Sequence, residues 1–197
     1  MELIPHKIVV KTLSFKHHTD TQMSANLLLD IRPVQAEELE TLRLLAKDTI
    51  VTAFGPYNSA EDMAAYVEAK FNASYFSKLF HQDGVHFFLA YLEGKEVAYL
   101  KLNIDGAQNE QLLENAIEIE RIYVHQSYQG KGLGLELLNF AVRYGQQLDK
   151  EWVWLGVWEK NEGAIRFYQR HGFTIFSQHN RYLGDDLQLD WLMKRRL

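Results

Sequence analysis

The sequence predicts a single α/β domain. Three observations predict it. Hydrophobic residues make up 47% of the 197 residues and aromatics 13%, which fills one core well, whereas two domains would each be small. Short apolar runs typical of strands alternate with amphipathic runs of helical period. One apolar run feeds a glycine-rich turn that opens a helix.

Taken in order, residues 1–26 mix Lys, His and Thr with the short run Ile8-Val9-Val10 and read as a poorly ordered extension. Met23 could be the natural start of the domain, which is placed at 27–197. Leu27 to Pro33 reads as a first strand stopped by proline. Ala36 to Ala53 has helical periodicity through Leu39, Leu42, Leu45 and Ala46, and Phe54-Gly55-Pro56-Tyr57-Asn58 is a turn. Ser59 caps a helix to about Lys70, with Asp62 as an acidic capping-box partner, and a further helical stretch reaches Phe80.

Val85–Tyr91 and Val97–Ile104 form a hairpin across Glu93-Gly94-Lys95-Glu96. A polar excursion follows, from Asp105 to Asn115. Ala116–Val124 is the next strand, and Gly132–Leu148 an amphipathic helix with Leu137, Leu138, Ala141, Tyr144 and Leu148 on one side. Trp152–Val157 is continuously apolar, as a strand covered on both faces would be. A short helix over Asn161–His171 ends at Gly172, and Phe173–Ser177 and Leu187–Lys194 are the closing strands.

Composition narrows the chemistry. With no cysteine, disulfides, thiolate zinc sites and a cysteine nucleophile are excluded. The histidines lack metal-binding spacing, so no metal is expected. A formal charge of -5 argues against a nucleic-acid footprint. No run approaches the ~18 apolar residues of a membrane span, and lysines interrupt any secretory core at the N-terminus, so a cytoplasmic location is expected.

The decisive stretch runs from Ile122-Tyr123-Val124 to Gln129-Gly130-Lys131-Gly132-Leu133-Gly134. Amides at a helix N-terminus are unpaired and lie at the positive end of the helix dipole, which makes an anion site, and glycines let phosphates approach the backbone. Lys131 could add a full charge. A dinucleotide fingerprint fails because Leu135 stands where its third glycine belongs, and a Walker loop fails because Gly132 follows Lys131. The pattern that fits is Gln-x-x-Gly-x-Gly at 129, 132 and 134. It resembles the acetyl-CoA pyrophosphate loop of the GNAT N-acetyltransferases. Downstream, Asn161-Glu162-Gly163-Ala164-Ile165-Arg166-Phe167-Tyr168, then Gly172-Phe173, is similar to the second signature of that superfamily. The segments Glu118 to Val124, Trp154 to Asn161 and Leu183 to Asp186 resemble the PaiA-type bacterial branch, whose members acetylate spermidine and spermine.

The resemblance implies the α+β GNAT fold, a central mixed, mostly antiparallel sheet with splayed middle strands and helices on both faces, and acetyl-CoA as cofactor. Pantetheine would lie between the strands ending at Val124 and starting at Trp152. A backbone N–H near Tyr123 or Val124 would polarise the thioester oxygen. Asn161 and Ala164 would line the cofactor, and Tyr168 would reach the thioester sulfur as general acid. Gly156 is consistent with close backbone approach.

An alkylamine has a reference pKa of ~10.4, so deprotonation at pH 7 costs ~4.6 kcal/mol and a base or desolvating site must help. Glu120 is the first choice of base, directly or through water. It stands four residues before Val124, which predicts a shared strand face. Glu118 shares that face as an alternative base or cation anchor. The competing reading for both is an ion pair with a neighbouring basic side chain. Trp158, Glu159, Asp185 and Asp186 are candidate acceptor-site residues. The expected acceptor is a polyamine. Another amine, such as a protein N-terminus, and an acetyl-CoA-binding regulatory module are the alternatives, and a homodimer is possible.

Overall fold

A computed structural model describes residues 29–183 and 186–197. The expectations for residues 1–26 and for Leu27 and Leu28 therefore fall outside the described residues. So do those for Asp185 and for the side chain of Asp186.

Seven strands form one sheet in the order β1-β2-β3-β4-β5-β7-β6. They are β1 Asp30–Pro33, β2 Val85–Leu92, β3 Lys95–Ile104, β4 Ala116–Val124, β5 Trp152–Trp158, β6 Thr174–Leu183 and β7 Asp186–Arg196. All neighbours pair antiparallel except β4 and β5, which are parallel. The mixed, mostly antiparallel sheet is as expected.

Helices cover both faces. On one, α1 (Leu39–Phe54), α2 (Ala60–Lys70) and α3 (Ala73–Phe80) pack Leu42, Leu45, Phe71 and Phe76 against Phe87, Leu89 and Tyr99. On the other, α4 (Leu133–Gln147) and α5 (Glu162–Arg170) pack Leu137, Leu138, Ala141 and Tyr168 against Leu100, Leu102, Ile117, Ile119 and Leu155. Ser59 caps α2 through the Asp62 amide (3.0 Å) and donates its own hydroxyl to the Asp62 carboxylate (2.6 Å).

Several boundaries differ from the sequence reading; β3 begins at Lys95 and β7 ends at Arg196, for example. The helix expected from Ala36 begins as a 3-10 turn over Ala36–Glu38. Strand β6 runs six residues past Ser177, to Leu183. The polar run Gln178-His179-Asn180 hid that extension, because an edge strand tolerates polar residues that a central one does not.

The parallel contact between β4 and β5 is brief. Pairing covers Ala116↔Trp152, Ile117↔Val153 and Glu118↔Trp154, then stops. Beyond it β4 stays on β3 as far as Val124, and β5 stays on β7 as far as Trp158. The two strands thus diverge in mid-sheet, and their inner edges face a gap.

A bulge changes the phase of β4. Lys101 pairs with Arg121 and Leu102 with Ile119, so Glu120 is the extra residue. Ile117 and Ile119 pack with α4, and so do Ile122 and Val124 after the bulge, whereas Tyr123 joins the α1–α3 side. This corrects the expectation that Glu120 and Val124 share a face. Period-two counting fails across a bulge, and Glu120 lies instead with Glu118, since the Asn103 side chain reaches both carboxylates.

Candidate active site

The gap between β4 and β5 opens into a cleft of about 380 Å³. One end is made of backbone. Gly130 and Gly132 adopt left-handed conformations, with φ 74° and 83°, and Gly132 is the N-cap of α4. The earliest of the N–H bonds at this end runs from Leu135 to the Gly132 carbonyl at 3.0 Å. The amides of Gly132, Leu133 and Gly134 precede it and have no helical carbonyl to reach. A Cβ built on Gly130, Gly132 or Gly134 meets nothing within 4 Å. An open cradle of amides at a helix N-terminus suits a pyrophosphate.

Most of the expected cofactor residues line this cleft: Ile122, Tyr123 and Val124 on β4, Gln129 to Gly134 without Lys131 on the loop, and Asn161, Ala164 and Tyr168 on α5. Three details refine their roles. Gln129 Nε2 donates to the Val124 carbonyl at 3.0 Å, tying the loop to the strand end. Asn161 is the N-cap of α5, its Oδ1 accepting from the Ala164 amide at 3.1 Å. Lys131 is not part of the cleft wall, and its ammonium sits 5.0 Å from the Tyr128 ring centre.

The backbone of β4 has a direction that can be fixed. His125 N–H bonds to Val97 on β3 at 2.9 Å. The N–H and C=O of one strand residue point the same way and alternate along the chain. The Val124 carbonyl, which accepts from Gln129, points away from β3 accordingly, and so does the Val124 N–H. Of the two expected oxyanion donors, Val124 rather than Tyr123 faces the gap.

Tyr168 is buried, packed against Phe167 and Phe173 with ring centres 5.3 and 5.7 Å away, and its side chain lines the cleft. Burial pushes its phenol pKa well up. The hydroxyl therefore keeps its proton at neutral pH and can give it only to a group that becomes strongly basic.

The other end is made of side chains. Glu120 lines the cleft. Asn103 Nδ2 lies 2.6 Å from its Oε2, the Lys101 ammonium contacts the same oxygen, and Arg121 Nε is 3.4 Å from Oε1. Desolvation raises the Glu120 pKa, but Arg121, Lys101 and the Asn103 amide outweigh it and hold the carboxyl below its ordinary value. Glu118 is away from the cleft. Buried on β4, it accepts from the Asn109 backbone (2.8 Å), the Asn109 side chain (2.7 Å) and Asn103 (3.0 Å). Burial raises its pKa. Two of those three bonds come from Asn109 and tie Glu118 to the Asp105–Asn115 excursion, away from the cleft wall.

Trp158 borders the cleft and forms an aromatic group with Tyr57 (5.1 Å, edge-on) and Phe54 (6.3 Å). Phe54 and Ala53 also line the cleft. The sequence reading treated Phe54-Gly55-Pro56-Tyr57 only as a turn. An aromatic pair flanking Gly-Pro was the available signal. Glu159 is half-buried beside Trp158 and outside the cleft wall, with its amide bonded to Leu189 at 2.9 Å. Among the described residues no group of His, Asp and Glu could hold a metal ion, and no helix is long and apolar enough to cross a membrane.

Residues 48–173 match the profile of the acetyltransferase (GNAT) family. An uncharacterized N-acetyltransferase of Lactobacillus delbrueckii is 41% identical over 83% of this chain and 95% of its own. The spermine/spermidine N(1)-acetyltransferase of Bacillus subtilis is 32% identical over 43% of this chain and 57% of its own. Among solved structures, the PaiA N-acetyltransferase of Thermoplasma acidophilum, in complex with coenzyme A, superposes with a TM-score of 0.70 at 20% identity, covering 86% of this chain and 99% of its own.

Proposed function

The chain belongs to the GNAT family of acetyltransferases, and from that premise we propose that it acetylates a polyamine, spermidine or spermine, by direct attack in a ternary complex. One observation carries the acyl-transfer reading: a glycine cradle, a strand edge with an inward N–H and a buried phenol all open on one cleft between two diverging strands. Acetyl-CoA supplies an activated acetyl thioester when bound there.

The chain's own groups divide the remaining work. The amides of Gly132 to Gly134 bind the pyrophosphate. The Val124 N–H stabilises negative charge on the acetyl oxygen. Tyr168 keeps its proton and stabilises the departing thiolate, whose reference pKa is only ~8.5, by a hydrogen bond from its hydroxyl. Glu120 orients the attacking amine or a water that takes its proton. Its low pKa makes it a weak proton store, so the proton passes on to solvent. No Ser-His-Asp arrangement calls for an acyl-enzyme.

Two observations support the polyamine. Phe54, Tyr57 and Trp158 give cation-binding ring faces at the acceptor end. The relative from Bacillus subtilis carries that activity in its name. An acetyl-CoA turnover screen across polyamines, monoamines, aminoglycosides and peptides tests the reading. Spermidine or spermine should exceed a simple monoamine by at least about tenfold in kcat/KM, ~1.4 kcal/mol. The preference should shrink as salt rises. Equal efficiency with a monoamine, or activity confined to peptide N-termini, refutes the polyamine and leaves acetyl transfer in place.

A further inference from the structure

Lys101 is an unusual residue for its position. It stands on β3, the strand between β2 and β4, and only 3% of it is exposed. Burying an ammonium costs several kcal/mol unless a counter-charge and hydrogen bonds compensate. Here the counter-charge is Glu120. As the extra residue of β4, Glu120 can lie over β3 and meet Lys101 and Asn103 together.

We propose that Lys101 is a positioning residue for acetyl transfer, acting through Glu120: its buried ammonium fixes that side chain as a carboxylate on the cleft wall and occupies one of its two oxygens. The inference rests on the acyl-transfer reading above. It adds that Glu120 meets the amine or its water as a charge-neutralised group and not as a free anion. Both oxygens of Glu120 are already approached by protein cations, so the distal ammonium groups of a polyamine must find ring faces or other carboxylates.

The groups that face Glu120 support this. From β3 come Lys101, Asn103 and Tyr99, and from β4 come Glu118 and Arg121. Tyr75 on α3 senses both Arg121 and Glu120, and Tyr66 on α2 senses Arg121. Glu118 is the other carboxylate of the cluster, and its oxygens are bonded to Asn103 and Asn109. Arg121 is turned toward the Phe71 ring, 4.9 Å away, and holds the second Glu120 oxygen less closely than Lys101 holds the first. Lys101 thus makes the closest ionic contact to Glu120. Burial lowers the Lys101 pKa, and Glu120 counters that effect, as a mutually dependent pair requires.

The test titrates Glu120 by carbon-detected NMR of glutamate-labelled full-length protein, with Glu120→Gln to assign the signal. In Lys101→Met the Glu120 pKa should rise by at least about one unit, because an opposite charge is removed while burial remains. Lys101→Arg should restore the original value. Kinetics give the second reading. Lys101→Met should lower kcat/KM about 10-fold or more alone, and add little in a Glu120→Gln background, since a residue acting only through Glu120 has nothing left to act on. An unchanged Glu120 titration in Lys101→Met, or fully additive losses in the double variant, overturns the proposal. Should Lys101→Met fail to fold, Lys101→Gln carries the same readings. The titration needs no acceptor, so an amine screen without turnover strikes the functional reading and not this one.

Discussion

The two ends of the cleft are built from different material. The cofactor end is backbone: six consecutive residues, Gln129 to Gly134, two of them with positive φ, and the first turn of a helix. The acceptor end is side chains from separated segments. Lys101 and Asn103 come from β3, Glu120 and Arg121 from β4, Phe54 and Tyr57 from the end of α1 and the turn after it, and Trp158 from β5. The cofactor end faces a group common to every coenzyme A thioester, so generic amides suffice. On the proposed function the acceptor end recognises one amine, and there Lys101, Glu120 and Arg121 are also part of the buried sheet. Function and stability are therefore separable at the first end and coupled at the second.

The largest expected effect is at the backbone end. Gly132→Val should weaken coenzyme A binding at least about 100-fold by calorimetry, ~2.7 kcal/mol. A β-branched residue is strained at φ 83° and its side chain would enter the open cradle. Unchanged affinity in a folded variant would remove the pyrophosphate from this loop.

Between the ends, Tyr168→Phe should lower kcat about 10- to 1000-fold with little change in coenzyme A affinity. Wild-type kcat would leave water as the acid.

Glu120→Gln tests the coupling itself. It should lower kcat/KM about 10- to 100-fold and also lower the melting temperature, since it leaves Lys101 and Arg121 buried beside a neutral amide. A loss of activity with no loss of stability would break the comparison. The sign of the pH dependence follows from the same pair. The Glu120 pKa is lower in the folded state than its ordinary 4.5, so its stabilising contribution is complete above that value and is lost as pH falls below it. The wild-type protein should lose stability in that window more steeply than Glu120→Gln does, in melts at stepped pH.

Trp158→Ala should raise KM for the amine about 5-fold and leave kcat near wild type, as loss of one ring face implies. A chain beginning at Met23 marks the smallest effect. Its melting temperature should stay within ~2 °C and its turnover unchanged, because the cofactor loop, Glu120 and Tyr168 all belong to the segment matched by the family, residues 48–173. A larger drop would show that Ile8 to Val10 supports the sheet.

The sequence by itself determined most of the strands and helices, the helix-opening glycine turn and the α5 signature with Asn161 and Tyr168, because each is encoded within a short window. Backbone conformation at Gly130 and Gly132 follows from local sterics, and amphipathic period follows from residue spacing. Only the tertiary structure decided the acceptor end. A bulge is a relation between two strands, so Glu120 and Val124 on opposite faces could not be counted off β4 alone. The bonding of Glu118 to Asn103 and Asn109, and the pairing of Glu120 with Lys101, depend on which residues stand opposite across the sheet. Burial then sets the price of each unpaired charge, and burial is a property of the packed molecule and not of any segment of its chain.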